Sequence, residues 1–476
     1  MAAVLLELAV SGRYSYQRDE LYFLVCGQHL AFGYVDQPPL APALARLSAE
    51  LFGTSSLAGL RVIPALCLGL LVGLTAAMAR HLGAGNLGRI LAGLACATSS
   101  EYLAAAHVLT TTILDYSFWA LTLYFTVGLL ASQDVRWWPA IGLAVGVGLD
   151  AKWNVGFLVV GLVIALAVSG SRQLLFNRYA LAAGFIAIGV GSPDLIWQAL
   201  HGWPNIAVFR ALQATASHNR VVFWPVQVTY TGIALTPVWI AGVVWCLRNP
   251  AAARFRALGV AAVLVLALVF AGGGKPYYCG GIFTVLFAAG AVPLEHFVSK
   301  RRGLRRSGVA AGAIVLSGLV FLPLAIPVLS ARVLETSRLR HIAYPVDDAN
   351  WPGLVRVVAG AYFALPGAER SSTTLLTGNY SQAGALDVLG RSSGLPVAYD
   401  GQNNYWSWGP PHVADRSVLA VGVDPDLLRR FFKSVRRVAV LAQSGIGYIG
   451  APVPVYFATG LREPWPAAWP AFKSSV

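Results

Sequence analysis

The sequence predicts a mainly α, polytopic membrane protein with a small α/β domain at its C-terminal end. Three observations carry that expectation: composition, the spacing of the apolar runs, and where the basic residues fall. Of 476 residues, 57% are hydrophobic and 12% are charged, whereas a soluble domain has about 25% charged residues. Mean hydropathy is +0.63. Such a chain keeps most of its mass in apolar helices of about 20 residues. The formal net charge is +14. The basic residues sit in short loops between apolar runs and form no single patch, so no nucleic-acid partner is expected. Cys26, Cys67, Cys96, Cys246 and Cys279 lie far apart without a CxxC spacing. They give neither a disulfide framework nor a zinc site and read as small apolar packing residues.

The opening stretch MAAVLLELAVSG is too short to span and contains Glu7. It lacks the basic start and cleavage site of a signal peptide and reads as the outer end of a first span that begins upstream of Met1. RDELYF, from Arg18 to Phe23, then puts two adjacent carboxylates, Asp19 and Glu20, where the chain leaves the membrane. A charge at the bilayer centre costs about 2.5–3.5 kcal/mol, so charges near spans are kept for paths, pairs or chemistry. An ordinary solvated acidic pair is the plainer alternative. The two prolines of GYVDQPPL (33–40) demand an extended or turned backbone. Leu40, Leu44, Leu47 and Leu51 recur at helical spacing, with Arg46 and Glu50 on another face. That pattern predicts an amphipathic helix on the membrane surface, within an outer loop covering residues 12–60.

Spans are expected near 61–81, 87–107, 112–132, 137–150, 153–170, 178–198, 226–247, 257–273, 277–298 and 306–329. With the partial first helix they number about eleven. If RDELYF is outside, the inner loops hold Arg80, Arg89, Arg136, Arg172, Arg178, Arg248, Arg254, Arg256, Lys300, Arg301, Arg302, Arg305 and Arg306. The outer turns keep isolated Lys152, Arg210, Arg220 and Lys275. This asymmetry satisfies the positive-inside rule and sets the orientation. No internal repeat is visible, which argues against inverted-repeat transporters.

The chain therefore divides into a membrane domain, 1–332, and an outer domain, 333–476. In the second, TTLLTG (373–378), LPVAY (395–399), VLAVGV (418–423) and VRRVAVLA (435–442) read as strands. SQAGALDVLG (381–390), with Ser381 as a cap, and DPDLLRRFF (424–432) read as helices. Alternating strands and helices imply a small α/β unit. Tyr405, Trp406 and Trp408 in NNYWSWG suit either a sugar face or the core of this domain.

Polar residues converge on the outer side. Asp19 and Glu20 are followed by His107, Thr110, Thr111, Thr112 and Asp115, by Asp150 and Lys152, and by Lys275, Tyr277 and Tyr278 in GGGKPYY. Each has a plain alternative: Asp115 as a helix cap, Lys152 as a partner of Asp150, Lys275 as a snorkelling side chain. Together they offer a general base and fixed positive charge for a departing phosphate. A lipid-linked sugar phosphate would place its phosphate at the depth of these span ends.

The segment RDELYFLVCGQHLAFGYVDQPPLAPALARLSAELFG resembles the first outer loop of the bacterial membrane glycosyltransferases of family 39. These are relatives of dolichyl-phosphate-mannose–protein mannosyltransferases and of the lipid A aminoarabinose transferase. The resemblance runs on through HVLTTTILD (107–115), GVGLDAKWN (146–154), PDLIWQALHGWP (193–204), GGGKPYY (272–278), LTGNYSQAGALD (376–387) and GQNNYWSWGPP (401–411). It implies a C-type glycosyltransferase fold, a polyprenyl-phosphate sugar donor and inverting transfer to an acceptor hydroxyl on a protein, glycan or lipid. It also implies a catalytic Asp19 with Glu20 as its motif partner, a second acidic position at Asp115, and phosphate contacts from Lys152 and Lys275. His107, Tyr277 and Tyr278 are candidate substrate contacts. The sequence does not settle a metal: two carboxylates can hold a divalent cation, but no close metal-binding cluster is visible in it. The competing class is a transporter or flippase of a lipid-linked sugar, which should show charged or broken helices at the midplane.

Overall fold

A computed structural model describes residues 1–299, 303–330, 333, 350–412, 416–442 and 452–474. The expected domain boundary near 333 and the basic run Lys300–Arg302 lie outside the described residues or at their margin. The chain opens with α1 (Ala2–Val10), α2 (Arg18–Gln28) and α3 (Leu40–Phe52). A capping box starts α2: Gln17 accepts from the Asp19 amide at 2.7 Å, and the Glu20 carboxylate accepts from the Gln17 amide at 2.9 Å. Both acids lie in the first turn, where the helix dipole favours negative charge. Helix α3 buries its small residues, Ala41, Pro42, Ala45 and Ser48, and packs against α2. Leu47, Leu51 and Phe52 are left exposed, the side of the helix that the leucine spacing assigned to lipid.

The bundle continues with α4 (Val62–His81), α5 (Asn86–Thr98), α6 (Ser100–His107), α7 (Thr111–Ser132), α8 (Trp138–Ala151), α9 (Val155–Val168) and α10 (Arg178–Leu200). It is completed by α11 (Ala216–Thr231), α12 (Thr236–Arg248), α13 (Arg256–Ala271), α14 (Phe283–Ser299) and α15 (Gly303–Ala325). Among the described residues, six helices are long and apolar enough to cross a membrane, or seven if the pair Ala216–Thr231 and Ile233–Arg248, bent by 93°, counts as one. The expectation from the sequence is about eleven, and the difference lies in apolar runs whose helices are shorter or broken. The apolar run 87–107 is split at Ser99, whose extended backbone separates α5 from α6. Helices α8 and α9 have 14 residues each, about 21 Å at 1.5 Å per residue, short of a hydrocarbon core of about 30 Å. Helix α9 exposes Val160, Val163, Ile164 and Val168 as a longer span would, so composition does not separate short apolar helices from long ones.

Helix α4 packs against α5, α7 and α14, α12 crosses α14, α9 meets α13, and α8 lies along α10. The span of α7 is 78% buried and that ending in α14 is 72% buried, against 17% for α10 and for the span within α15. The first two form the centre of the bundle. On α10, Leu181, Phe185, Ile188, Ile196 and Leu200 point outward, as a lipid-facing surface requires.

The C-terminal unit, expected from the sequence to lie outside, contains α16 (Trp351–Phe363), α17 (Tyr380–Leu389), α18 (Pro425–Phe431) and a five-stranded sheet. Its strands are β1 (Thr373–Thr377), β2 (Ala398–Asp400), β3 (Ser417–Val421), β4 (Phe432–Leu441) and β5 (Val453–Leu461), in the order β2-β1-β3-β5-β4. Strand β1 is parallel to β2 and β3, while β5 runs antiparallel to β3 and β4. Both expected helices form, although Asn379 rather than Ser381 caps α17. Strand β5 was not foreseen; Pro454 and Gly460 interrupt its pattern. Helix α17 lies on α2, where a Cβ on Gly384 would touch Leu21. The Tyr22 hydroxyl lies 3.0 Å from Asp36 Oδ1 and 3.2 Å from Asn404 Oδ1, which also accepts from the Val35 amide at 2.7 Å. The Trp351 indole donates to the Tyr16 carbonyl at 2.8 Å. This C-terminal unit is thus bonded to the segment from Tyr16 to Asp36 at several points.

Two carboxylates inside the outer unit make its stability pH-dependent. Asp400 accepts from Thr377 Oγ1 at 2.6 Å and from the Gln402 amide at 2.7 Å, yet burial pushes its pKa up to about 7. Burial likewise pushes Asp387 to about 6. A raised folded-state pKa favours the neutral acid, so this contribution is complete below about pH 4, the unfolded value, and is lost as pH rises toward 7. The melting temperature of the outer unit should fall between pH 4 and 8. Asp400→Asn should flatten that fall; melting curves that stay parallel to wild type would remove Asp400 as the source.

Candidate active site

The site begins with a buried ion pair. Arg61, at the start of α4, is 3% exposed and Glu20 is fully buried. Arg61 Nε donates to Glu20 Oε1 at 3.1 Å and Nη2 to Oε2 at 2.9 Å. The same guanidinium donates to the carbonyls of Ser11, Arg13 and Ser15 at 3.0, 3.2 and 3.0 Å. Glu20 also accepts from the Leu109 amide at 3.1 Å. Every polar edge of this carboxylate is taken. A two-point pair with added hydrogen bonds is what keeps buried charges tolerable.

Asp19 points elsewhere. Its side chain is 35% exposed, and its Oδ1 accepts a 2.7 Å hydrogen bond from the Tyr380 hydroxyl at the start of α17. Burial, then the Asp19 charge, push the Tyr380 phenol far above its ordinary range, so it stays a donor. Arg18 Nε lies 3.9 Å from Asp19 Oδ1. Lys275 follows a turn in which Gly273 has φ +66° and a Cβ would lie 2.5 Å from Ala216; glycine alone suits that conformation and approach. Burial lowers the Lys275 pKa, and the Asp19 charge opposes that shift.

Lys152 caps α8. Its Nζ donates to Thr112 Oγ1 at 3.1 Å and lies 5.1 and 5.0 Å from the ring centroids of Tyr277 and Tyr278. Lys275 Nζ sits 5.9 Å from the Tyr277 ring. Lys152 is within electrostatic reach of Asp115, Lys275 and Asp19. Asp115 is buried in the first turns of α7; its Oδ1 accepts from the Trp119 indole at 2.8 Å and its Oδ2 has no partner among the described residues. Asp19, Asp115, Lys152, Lys275, Tyr277 and Tyr278 therefore gather at one end of the bundle. The arginine-bearing ends of α4, α12 and α15 are at the other.

Residues 36–197 match the family of dolichyl-phosphate-mannose-protein mannosyltransferases. The resemblance noted from the sequence thus holds for the stretch that carries Arg61, Asp115 and Lys152. No curated protein sequence matches the chain. Among solved structures, ArnT from Cupriavidus metallidurans bound to undecaprenyl phosphate is similar at a TM-score of 0.60 and 15% identity, over 96% of each chain. Its apo form matches at 0.60 and 14%, again over 96% of each. The mycobacterial arabinofuranosyltransferase AftD matches at 0.53 and 15%, over 97% of this chain and 41% of that one. The chain has the C-type glycosyltransferase fold.

Two expected site residues stand apart from this cluster. His107 does not reach a ligand: it is 1% exposed, its Nε2 is 3.0 Å from Arg61 Nη1, and its Nδ1 is 3.1 Å from Glu7 Oε2. Because Arg61 can only donate, Nε2 accepts and Nδ1–H donates to Glu7. Its expected substrate contact is corrected to a link in the buried network. Glu20, likewise, has no free edge for a reacting group. Tyr380, Arg61, Glu101 and Tyr116 were missed because each gains its meaning only from a partner distant in sequence. The buried pair makes a direct prediction. Arg61→Gln leaves Glu20 charged and unpaired, a loss of about 3–5 kcal/mol. Thermal melting in detergent should show a large drop for Arg61→Gln and for Glu20→Gln; a wild-type melting temperature in Arg61→Gln would exclude the clamp.

Proposed function

We propose that this protein transfers a sugar, with inversion, from a polyprenyl-phosphate sugar to an acceptor hydroxyl at the outer face of the cell membrane. The observation that carries the reading is the partly exposed Asp19 carboxylate, held by Tyr380 beside two largely enclosed ammonium groups at one end of the bundle. Lys275 and Lys152 bind the donor phosphate at headgroup depth. The free edge of Asp19 takes the proton of the acceptor hydroxyl as its oxygen bonds to the anomeric carbon. The bond from that carbon to the phosphate oxygen breaks, and the electron pair leaves on polyprenyl phosphate. The lysines stabilise the charge that grows there. Attack from the side opposite the departing phosphate inverts the anomeric centre.

Other residues act through these. Glu20 fixes the first turn of α2 and so aims Asp19. Asp115 sets the charge and position of Lys152, and Tyr277 with Tyr278 forms the aromatic platform under the lysines. A divalent cation fits poorly here. Glu20 is consumed by Arg61, which divides the acidic pair that would hold the ion, and Arg18, Lys152 and Lys275 all lie within electrostatic reach of Asp19. Among the described residues no group of three or more His, Cys, Asp or Glu stands close enough to bind a metal. In this reading residues 1–332 bind the donor, and the outer domain, 333–476, completes the site through Tyr380. The arginine-bearing opposite end supports an outward-facing site.

The test is release of undecaprenyl phosphate from its glycosyl esters by purified protein in lipid nanodiscs, with envelope extract as the acceptor source. Asp19→Asn should lower turnover by about 10²–10⁴ while the protein still inserts and melts normally. Lys275→Gln should reduce the maximal rate more than donor affinity, because only contacts that strengthen in the transition state raise turnover. Lys275→Arg should keep part of the rate, since charge survives while geometry changes. Near-normal turnover by Asp19→Asn would sink the reading.

A further inference from the structure

Next to the lysines lies a cavity of about 430 Å³, between α6, α7, α11, α15 and the residues after Lys275. Small-molecule sites span about 300–1,000 Å³. Two of its walls are shared with the phosphate site. Thr112 receives the hydrogen bond from Lys152, and Tyr277 lies beneath both lysines. At its polar end stands Glu101, 6% exposed. Its Oε1 accepts a 2.6 Å hydrogen bond from the Tyr116 hydroxyl, which is also 2.8 Å from the Tyr277 carbonyl. Its Oε2 is enclosed and has no partner among the described residues. Gly280 makes room for this arrangement, since a Cβ there would lie 2.2 Å from Glu101 Oε1.

We propose that this cavity receives the sugar of the donor and that Glu101 selects it, by accepting a hydrogen bond from a hydroxyl or ammonium group on the ring. The inference rests on the donor class proposed above and names the part of the site that reads the sugar. The chemistry of the walls decides between the two ends of the donor. A prenyl chain has no hydrogen-bond donor and would leave Glu101 Oε2 buried and unpaired, which is costly. A sugar supplies the missing donor from a ring substituent. Its C–H faces meet the aromatic sides of Tyr230, Tyr277 and Phe321. With the phosphate held by Lys152 and Lys275, the attached ring would enter past Thr112 and Tyr277, the walls that the cavity shares with the lysines. Tyr116 holds the carboxylate in place and acts as a positioning residue.

The experiment compares binding of undecaprenyl phosphate with binding of its pentose, aminopentose and hexose esters, using the full chain in nanodiscs. Wild type should bind at least one ester more tightly than the sugarless lipid. Glu101→Gln, which keeps the shape and one acceptor, should lose at least about tenfold of that preference, a discrimination of the size expected when a built hydrogen bond is removed. Its affinity for undecaprenyl phosphate should not change. Ala105→Leu, which fills the cavity from another wall, should do the same and serves if Glu101→Gln fails to fold. Preference for the aminopentose alone would identify an ammonium ligand; preference for all three esters would identify a hydroxyl. Equal losses for the glycosylated and sugarless lipids would overturn the proposal, because the cavity would then hold the prenyl chain. An unchanged preference in both variants would overturn it as well. If wild type shows the preference but transfers no sugar, the catalytic reading fails and this one stands. If it transfers sugar while both variants keep their preference, the reverse holds.

Discussion

The Arg61 guanidinium is the constraint on which the site depends. It enters from the start of α4 and takes the Glu20 carboxylate with two bonds. It also gathers three carbonyls of the 11–15 segment and one nitrogen of His107. These partners come from α2, from the link before it and from the end of α6. In a low-dielectric interior a charge left without its partner is far more costly than in water, so the arrangement is close to all-or-none. The linker between α1 and α2 has no regular structure to hold it; its carbonyls are held by this side chain. The Leu109 amide on Glu20 then ties the approach to α7 into the same knot.

The clamp explains how two neighbouring acids acquire opposite roles. Successive residues of an α-helix point about 100° apart, so a helix end fixed by Glu20 turns Asp19 away from the ion pair. Glu20 spends its oxygens on Arg61, Leu109 and the α2 cap. Asp19 meets Tyr380 with one oxygen and lies within electrostatic reach of both lysines. One residue is therefore built for permanence and the next for exchange. A second division separates the cations. Arg61, planar and rich in donors, suits a buried clamp; Lys152 and Lys275, compact charges over tyrosine rings, suit a ligand that arrives and leaves.

Much of this was legible in the sequence because it depends on local pattern. The apolar runs point to the membrane class, the RDELYF and GGGKPYY stretches hold Asp19 and Lys275 of the candidate site, and alternating β-rich and helical segments mark the C-terminal α/β unit. What sequence did not give depends on who faces whom. Nothing local in WPAIGLAVGVGLDA (α8) or VGFLVVGLVIALAV (α9) tells from composition where a 14-residue helix ends and a full-length span would continue. His107 looked like a ligand contact by its place beside the threonines, yet Arg61, 46 positions earlier, turns it inward. Glu101 was passed over because its cavity is made by helices far apart in the chain. Strand β5 was hidden because its partners, β3 and β4, decide its fate more than its own composition does.

The outer unit contributes to the site through one hydroxyl, and that choice has a physical logic. A carboxylate on the first turn of a helix near solvent has rotamer freedom, and a base must be aimed to be effective. The bundle has already spent its nearest rigid donor, Arg61, on Glu20. Tyr380 supplies the missing restraint from 361 positions away, at the N-terminus of α17, with an aromatic ring packed 5.1 Å from that of Tyr22. The same contact face carries the Tyr22–Asp36–Asn404 bonds and the close approach of Gly384 to Leu21. Asp36 there is pushed up to about 7, chiefly by burial and with the Asp19 charge adding to it. Asp36 therefore stands in the same contact face as Tyr22 and Asn404 and within electrostatic reach of Asp19. A membrane bundle with a free-standing loop in place of this unit would have the same charges without the aim.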